Sequence, residues 1–159
     1  MQDLPTLDRY DIAILSALQR NGRATWLELG ELVNLSATAA QRRVRALRDS
    51  GVIQRFTVDL DRTRLGQEVH AFVSVNVDRQ DLKLAEAFRR AVSLYPEVQA
   101  CYKLSGSVDF ILDVVAPNIA SYGRFLDERI LSLAGVKDAS SAIVLHTVKE
   151  RRTMIPGSL

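Results

Sequence analysis

Residues 25–49 carry the pattern of two short helices separated by a tight turn, which limits this part of the chain to few folds. Thr25 and Glu28 have the spacing of a capping box, in which each side chain accepts a hydrogen bond from the other residue's backbone N–H. Ser36 supplies a second N-cap, and Gly51 ends the second helix because glycine tolerates the left-handed conformation found there. Two helices joined in this way predict a helix-turn-helix, which places its second helix in the DNA major groove.

The second helix has an apolar side and a polar, mostly basic side. At about 100° per residue, the apolar stripe that should pack on the preceding helices comprises Ala37, Ala40, Val44 and Leu47. The residues predicted to contact DNA lie at the N-cap, on the opposite side and on its flanks: Ser36, Thr38, Gln41, Arg42, Arg43, Arg45 and Arg48. The arginine fork matches guanine or a phosphate. A solvated helix whose arginines only keep it soluble is the alternative, which the preceding capped helix and turn disfavour.

A further helix and a strand complete the predicted N-terminal domain, residues 1–60. Asp8 is placed to cap a helix that precedes the helix-turn-helix. Trp26 is expected to be a core or packing residue of the resulting three-helix bundle, and stacking on a base is the alternative. Residues 52–59 are rich in β-branched and aromatic side chains, which favour a strand. The domain is therefore predicted to be winged, with Arg55 on the wing and free to contact a phosphate.

The charge of the chain favours focused rather than general attraction to nucleic acid. The formal net charge is +2, and the excess lies in the first 64 residues. Binding to DNA should therefore weaken with salt, but less steeply than for a strongly basic protein.

A polar segment, residues 61–68, is predicted to link this domain to a second one over residues 69–159. From Val69 apolar and polar residues alternate as in a strand, and Asp81 and Asn118 are placed to cap two helices. Further strands are predicted over residues 98–104 and 109–115 and from Gly135 to Val148. This order predicts a ferredoxin-like βαββαβ sandwich and an α+β chain.

In such a sandwich both helices cover one face of the sheet. The other face carries Phe72 and further apolar groups, which are costly to expose. Pairing of two such sheets would hide them, so a homodimer is predicted, in keeping with the two-fold symmetry of many DNA sites.

Other kinds of site have little support in the sequence. His70 and His146 lie on the first and last predicted strands, but two imidazoles without a third ligand rarely hold a metal ion, so neither metal nor cofactor is expected. The single cysteine, Cys101, excludes a disulfide framework and fits a reducing cytoplasm. No catalytic arrangement can be argued from spacing, and neither a membrane span nor a signal peptide is indicated.

The order of several short motifs resembles the leucine-responsive and asparagine-responsive regulators, the Lrp/AsnC or feast/famine family. The resemblance covers nearly the whole chain. Its more specific pieces are Asp11 with Ile14-Leu15 and Leu18, Asn21-Gly22-Arg23, Leu35-Ser36, Arg43-Val44-Arg45-Ala46-Leu47, Gly51-Val52-Ile53, Ser105-Gly106 with Asp109-Phe110, and Gly135-Val136.

The resemblance implies homodimers that assemble into tetramers or octamers and a small-molecule effector, commonly an amino acid, bound where dimers meet. The matching residues are Tyr102, Leu104, Ser105, Gly106, Ser107 and Asp109. Backbone N–H groups at the glycine turn would hold a carboxylate, and Asp109 would bind an ammonium group. Alternatively, Gly106 only forms a tight hairpin that Asp109 caps. The family usually has an acidic residue and an aromatic after this glycine, whereas Ser107 and Val108 here favour an effector with an aliphatic side chain.

The sequence thus predicts a cytoplasmic regulator of amino-acid metabolism that binds double-stranded DNA and responds to an effector. Two alternatives stay open at this point. Some sirohaem decarboxylases resemble these regulators in both domains, although they need not preserve a basic second helix. A ligand-buffering oligomer without DNA activity is the other.

Overall fold

The computed structural model describes residues 6–78 and 80–149. The chain divides into two compact units at the bond between Asp59 and Leu60, and each unit has its own core. Residues 1–5 and 150–159, which belong to the predicted domains 1–60 and 69–159, lie outside the described residues.

The N-terminal unit contains three capped helices: α1 (Arg9–Arg20), α2 (Trp26–Val33) and α3 (Ala37–Asp49). Each begins where a side chain satisfies backbone N–H groups that have no partner within the helix. Asp8 caps α1 in a capping box, Thr25 and Glu28 form the predicted box at α2, and the Ser36 hydroxyl accepts from an N–H of α3. Both predicted helices of the helix-turn-helix are therefore confirmed, together with the helix before them.

The core of this unit lies between the three helices. It contains Ile14, Leu15, Ala17, Leu29, Val33, Ala40, Val44 and Leu47. The predicted apolar stripe of α3 is confirmed at its three fully buried positions. The prediction for Trp26 is wrong, because this side chain is 42 % exposed at the first turn of α2.

The predicted wing strand over residues 52–59 is also wrong, since none of these residues is in a strand. Strand propensity alone forms no strand without a neighbouring backbone to pair with. The segment instead begins by closing α3, because the Ile53 N–H donates to the Leu47 carbonyl at 2.9 Å. Phe56 and Val58 then follow as exposed side chains.

The C-terminal unit has the predicted strand and helix order. It comprises β1 (Val69–Val77), α4 (Leu82–Val92), β2 (Val98–Lys103), β3 (Phe110–Ala116), α5 (Ile119–Phe125) and β4 (Val136–Ile143). The strands form one antiparallel sheet in the order β2-β3-β1-β4, the arrangement expected of the split βαββαβ sandwich. The predicted ferredoxin-like fold is confirmed.

Both helices of this unit cover the same face of the sheet. Alternate residues of β1, from Ala71 to Val77, share one core with Phe88 of α4 and with side chains that follow Asn118. The ring centroids of Phe88 and Phe110 lie 5.0 Å apart at the centre of this layer. The other face of the sheet, which we call the open sheet face, carries Phe72 at 40 % exposure.

The helix after Asn118 departs from the predicted regular α-helix. It changes to a π-helix over Leu126–Leu131. Phe125 and Ile130 are both buried although they lie five residues apart, a spacing that an α-helix would place on different sides. The wider turn therefore keeps both side chains in the core.

The last strand ends earlier than predicted. β4 stops at Ile143, and Leu145 and Val148 are 93 % and 87 % exposed. The reason is the length of its neighbour: Ile143 pairs with Ala71, and the Val144 N–H donates to the His70 carbonyl near the start of β1. Beyond that point β1 has only Val69 left.

Candidate nucleic-acid interface and effector turn

A close approach of two backbones sets the turn between α2 and α3. The Leu35 N–H donates to the Gly30 carbonyl at 2.8 Å, and Asn34 adopts the left-handed conformation with φ 56°. A Cβ atom at Gly30 would lie 2.6 Å from the Leu35 carbonyl oxygen. Glycine is therefore required for α3 to leave the turn in its observed direction.

The side of α3 opposite its buried residues is polar and exposed, and so is the flank that carries Arg48. We call this surface the basic face, and it comprises Thr38, Gln41, Arg42, Arg45 and Arg48. None of these arginines forms an ion pair within the described part of the chain. Their guanidinium groups are available to phosphates and base edges.

Ser36 and Arg55 were also predicted to contact DNA. Ser36 is exposed, but its hydroxyl already accepts from the Ala39 N–H at 3.1 Å as the cap of α3. Arg55 is exposed in the segment that lacks the predicted wing, so no strand directs it. Neither residue belongs to the basic face.

Arg43 points toward α1 rather than away from the core, which the prediction for this residue did not include. Its two terminal nitrogens lie 2.9 Å from Asp8 Oδ2 and 2.8 Å from Asp11 Oδ1. The hydrogen bond to Asp11 raises the pKa of Arg43, and hydrogen bonds from the Asp11 backbone and the Arg43 side chain lower the pKa of Asp8. The Arg43 guanidinium also lies over the Tyr10 ring, 5.2 Å from its centroid. The Arg43 guanidinium is therefore bonded to residues of its own unit.

The predicted effector residues lie mainly in the turn between β2 and β3. We call residues 104–109 the effector turn; the hydrogen bond from the Leu104 N–H to the Asp109 carbonyl closes it at 2.9 Å. Gly106 has φ 128°, a conformation that favours glycine, and a Cβ there would meet nothing within 4 Å. The exposed side is formed by Tyr102, Leu104, Ser105, Gly106 and Ser107.

Asp109 differs from the other predicted effector residues because it is only 9 % exposed. Its carboxylate accepts from the Val77 N–H at 3.0 Å, and its own N–H donates to the Asn76 side chain at 3.1 Å. The Asn76 amide in turn donates to Asp138. Asp109 therefore braces the effector turn against the end of β1, and Asn76, which the sequence analysis did not single out, completes the brace.

The two histidines are the remaining candidates for metal ligands in this unit. His70 Nε2 lies 2.8 Å from Asp113 Oδ1, whereas His146 is exposed after the end of β4. No group of three or more potential histidine, cysteine or carboxylate ligands occurs within residues 6–78 and 80–149. Partial burial raises the pKa of the Cys101 thiol. No helix within residues 6–78 and 80–149 has the length and hydropathy of a transmembrane segment.

Both units match sequence profiles of known domains. Residues 7–48 match the AsnC-type helix-turn-helix domain, and residues 70–154 match the Lrp/AsnC ligand binding domain. The chain belongs to the Lrp/AsnC family of transcription regulators. The first match contains the three helices, and the second contains the sheet and the effector turn.

Individual Lrp/AsnC proteins are similar to this chain over almost their whole length. The Bkd operon transcriptional regulator of Pseudomonas aeruginosa is 36 % identical over 145 residues, 91 % of this chain and 95 % of the relative. The leucine-responsive regulatory protein of Escherichia coli K12 is 35 % identical over 149 residues, 94 % of this chain and 91 % of the relative. A transcriptional regulator of Neisseria meningitidis, crystallised with L-Met, superposes with a TM-score of 0.90 at 34 % identity and covers 94 % of this chain and 96 % of that chain.

These matches decide between the alternatives that the sequence left open. The family and its named members are transcription regulators, so the chain is a DNA-binding regulator and not an enzyme. The sirohaem decarboxylase alternative has no support.

Proposed function

We propose that this Lrp/AsnC protein controls genes of amino-acid metabolism by inserting the basic face of α3 into the major groove. The observation that carries the proposal is the exposure of Arg42 and Arg45 opposite the core of the unit, without an acidic partner among the described residues. Arginine forks in this position bond guanine edges and phosphates. Thr38, Gln41 and Arg48 extend the same contact surface along the groove.

The experiment is selection of duplexes from a random pool by the full-length chain, followed by binding measurements over a range of salt concentrations. We expect one recurrent sequence to be enriched and bound at least about a thousandfold more tightly than random duplex. Affinity should fall with salt because each neutralised phosphate releases a counterion. Equal affinity for the selected and random duplexes would contradict the proposal that the basic face reads base edges.

The proposed effector is an amino acid held at the effector turn. Support comes from the ligand binding domain matched over residues 70–154 and from the Neisseria relative, which was crystallised with L-Met. Backbone N–H groups around Gly106 suit a carboxylate. Because Asp109 is buried and bonded to β1, it positions the turn and the ammonium group of the ligand needs another acceptor. The exposed turn supplies one wall, and a neighbouring copy of the chain supplies the second.

Substituting Gly106 by alanine should remove effector binding. The new methyl group would occupy the open space beside the turn, and the positive φ would resist it at a cost of about 1–3 kcal/mol. Thermal shifts with each of the twenty amino acids measure binding, because a ligand that binds only the native state raises its melting temperature. Aliphatic amino acids should stabilise the unaltered chain most.

Gly66→Ala is the matched control for this prediction. Gly66 also has a positive φ, 73°, with nothing within 4 Å of a Cβ, but it ends the short 3₁₀ helix Thr63–Leu65. Gly106→Ala should lose more stability than Gly66→Ala, because φ 128° lies further from the left-handed region that alanine can adopt, and only Gly106→Ala should lose the ligand-dependent shift. Equal ligand shifts in the two variants would place the effector elsewhere.

The proposed assembly is a homodimer formed across the open sheet face, with dimers joining into tetramers or octamers. Phe72 lies at the centre of this face, where it pairs with Asp113 of β3 and Ala142 of β4. A second copy would remove its ring from water.

Phe72→Glu should convert dimers to monomers, because two added carboxylates would approach each other across a two-fold axis beside the two Asp113 side chains. Light scattering during size-exclusion chromatography measures the mass of the assembly. The control is Leu82→Glu, which adds the same charge at an 81 % exposed position on α4. A dimer that survives Phe72→Glu would contradict this interface.

A further inference from the structure

The ion pairs of Arg43 connect two helices that are distant in sequence. Arg43 lies on α3, whereas its partners Asp8 and Asp11 are the cap and the third residue of α1, 32 residues from Arg43 in the case of Asp11. The Arg43 side chain is 29 % exposed and that of Asp11 only 16 %. The guanidinium groups of Arg9 and Arg43 both lie over the Tyr10 ring, 4.7 Å and 5.2 Å from its centroid. These contacts form one cluster, which we call the Arg43 clamp.

The clamp lies in the middle of α3, next to the buried Val44. Apolar packing holds one side of the helix through Ala40, Val44 and Leu47, and Arg43 points about 100° away from Val44. The clamp therefore restrains rotation of the helix from a second direction. A planar guanidinium held by two carboxylates is a directional restraint, because its fork bonds only over a narrow range of directions.

The rotation of α3 decides which side chains reach the base edges. Arg42 and Arg43 are neighbours in sequence and point about 100° apart. Fixing Arg43 against α1 therefore fixes the direction of Arg42 and, one turn further, of Arg45. Bidentate contacts to guanine require this direction, whereas contacts to the phosphate backbone tolerate a small rotation.

We infer that Arg43 is a positioning residue: it does not contact DNA, and through Asp8 and Asp11 it sets the rotation of α3 and hence sequence specificity. This role rests on the proposed DNA contact by the basic face. On the same helix Arg42 and Arg45 contact DNA, whereas Arg43 bonds only to residues of its own unit.

The decisive variant is the double substitution Asp11→Asn with Arg43→Gln, which leaves the net charge of the clamp unchanged. Affinity is measured for a duplex selected by the unaltered chain and for a random duplex of equal length. We expect the ratio of the two affinities to fall about fivefold or more, the equivalent of one bidentate base contact. Binding to the random duplex and the dependence of affinity on salt should stay as in the unaltered chain.

A single variant, Asp11→Asn, separates the two roles of Arg43 by the ratio of the affinities for the selected and the random duplex. Removing a carboxylate raises the net charge by one and tightens binding to both duplexes at low salt in either case. A phosphate contact by Arg43 would leave the ratio unchanged, whereas a positioning role lowers it. Arg43→Lys keeps the positive charge but lacks the planar guanidinium, so this variant should retain only part of the specificity of the unaltered chain.

Controls distinguish positioning from loss of folding and from failure of the proposed function. Measurements are made well below the melting temperature reported by Trp26, the only tryptophan of the chain. Glu86→Gln with Arg89→Gln removes an exposed ion pair of α4 and should change nothing. An unchanged affinity ratio in the double clamp variant, beside the expected loss for Arg42→Ala, would overturn the positioning role alone. If the unaltered chain does not discriminate between duplexes, both proposals fail.

Discussion

Replacing Arg42 and Arg45 by alanine is expected to abolish operator binding at physiological salt while the protein stays folded. Each bidentate base contact contributes about 1–3 kcal/mol, or roughly five- to 150-fold in affinity. If an arginine contacts a phosphate instead, its loss reduces the dependence of log affinity on log salt by about one. Both side chains are exposed and unpaired in the described residues, so stability should change by less than about 0.5 kcal/mol.

The comparison variant is Arg90→Ala on α4, which removes one positive charge from an exposed helix position in the other unit. It should bind the selected duplex like the unaltered chain. Binding and footprints are measured on the same duplex for all variants. Footprints of the Arg42→Ala and Arg45→Ala proteins that match the parent would show that another surface contacts DNA.

Features that depend on neighbouring residues could be predicted from the sequence. The caps at Asp8, Thr25 and Ser36 involve groups within three residues, so their spacing alone determines the hydrogen bonds. The alternation from Val69 to Val77 identified the buried face of β1 for a similar reason, because side chains of a strand point to opposite faces in turn.

Features that depend on distant residues could not be predicted in this way. Helical periodicity placed Arg43 on the flank of α3, but only the packing of α1 beside it brings Asp8 and Asp11 within reach. Asp109 is likewise a charged residue of the kind that often binds ligands. Its hydrogen bond with the Val77 N–H forms only because β3 lies beside the end of β1. In both cases a charged side chain that suggested a binding site is occupied within its own unit.

The wrong prediction of a wing has a related cause. Residues 52–59 have the composition of a strand, yet strand formation requires a partner backbone that composition does not reveal. The change of helix type after Asn118 likewise depends on residues that are distant in sequence. The π-helix from Leu126 forms because Phe125 and Ile130 must both contact the core, a demand set by the sheet beneath them.

Gly30→Ala is expected to destabilise the N-terminal unit although alanine is the better helix former. The added Cβ would lie 2.6 Å from the Leu35 carbonyl oxygen and 3.2 Å from Ala37 N, both backbone atoms that cannot rotate away. Overpacking of this kind costs about 1–3 kcal/mol, which exceeds the 0.5–1 kcal/mol or so gained in helix propensity. The melting temperature followed by Trp26 fluorescence should fall, and specific DNA binding should weaken because α3 must shift to relieve the clash.

The same substitution at Gly123 should have the opposite sign. Gly123 lies in α5, and a Cβ there would meet nothing within 4 Å, so alanine reduces the entropy of the unfolded chain without a clash. The C-terminal unit should gain about 0.5–1 kcal/mol, which calorimetry would detect as a rise of roughly 2–8 °C in its transition. If Gly30→Ala also stabilised its unit, the turn between α2 and α3 would have to tolerate a different direction of α3. The close approach of Gly30 to Leu35 would then not determine how α3 meets DNA.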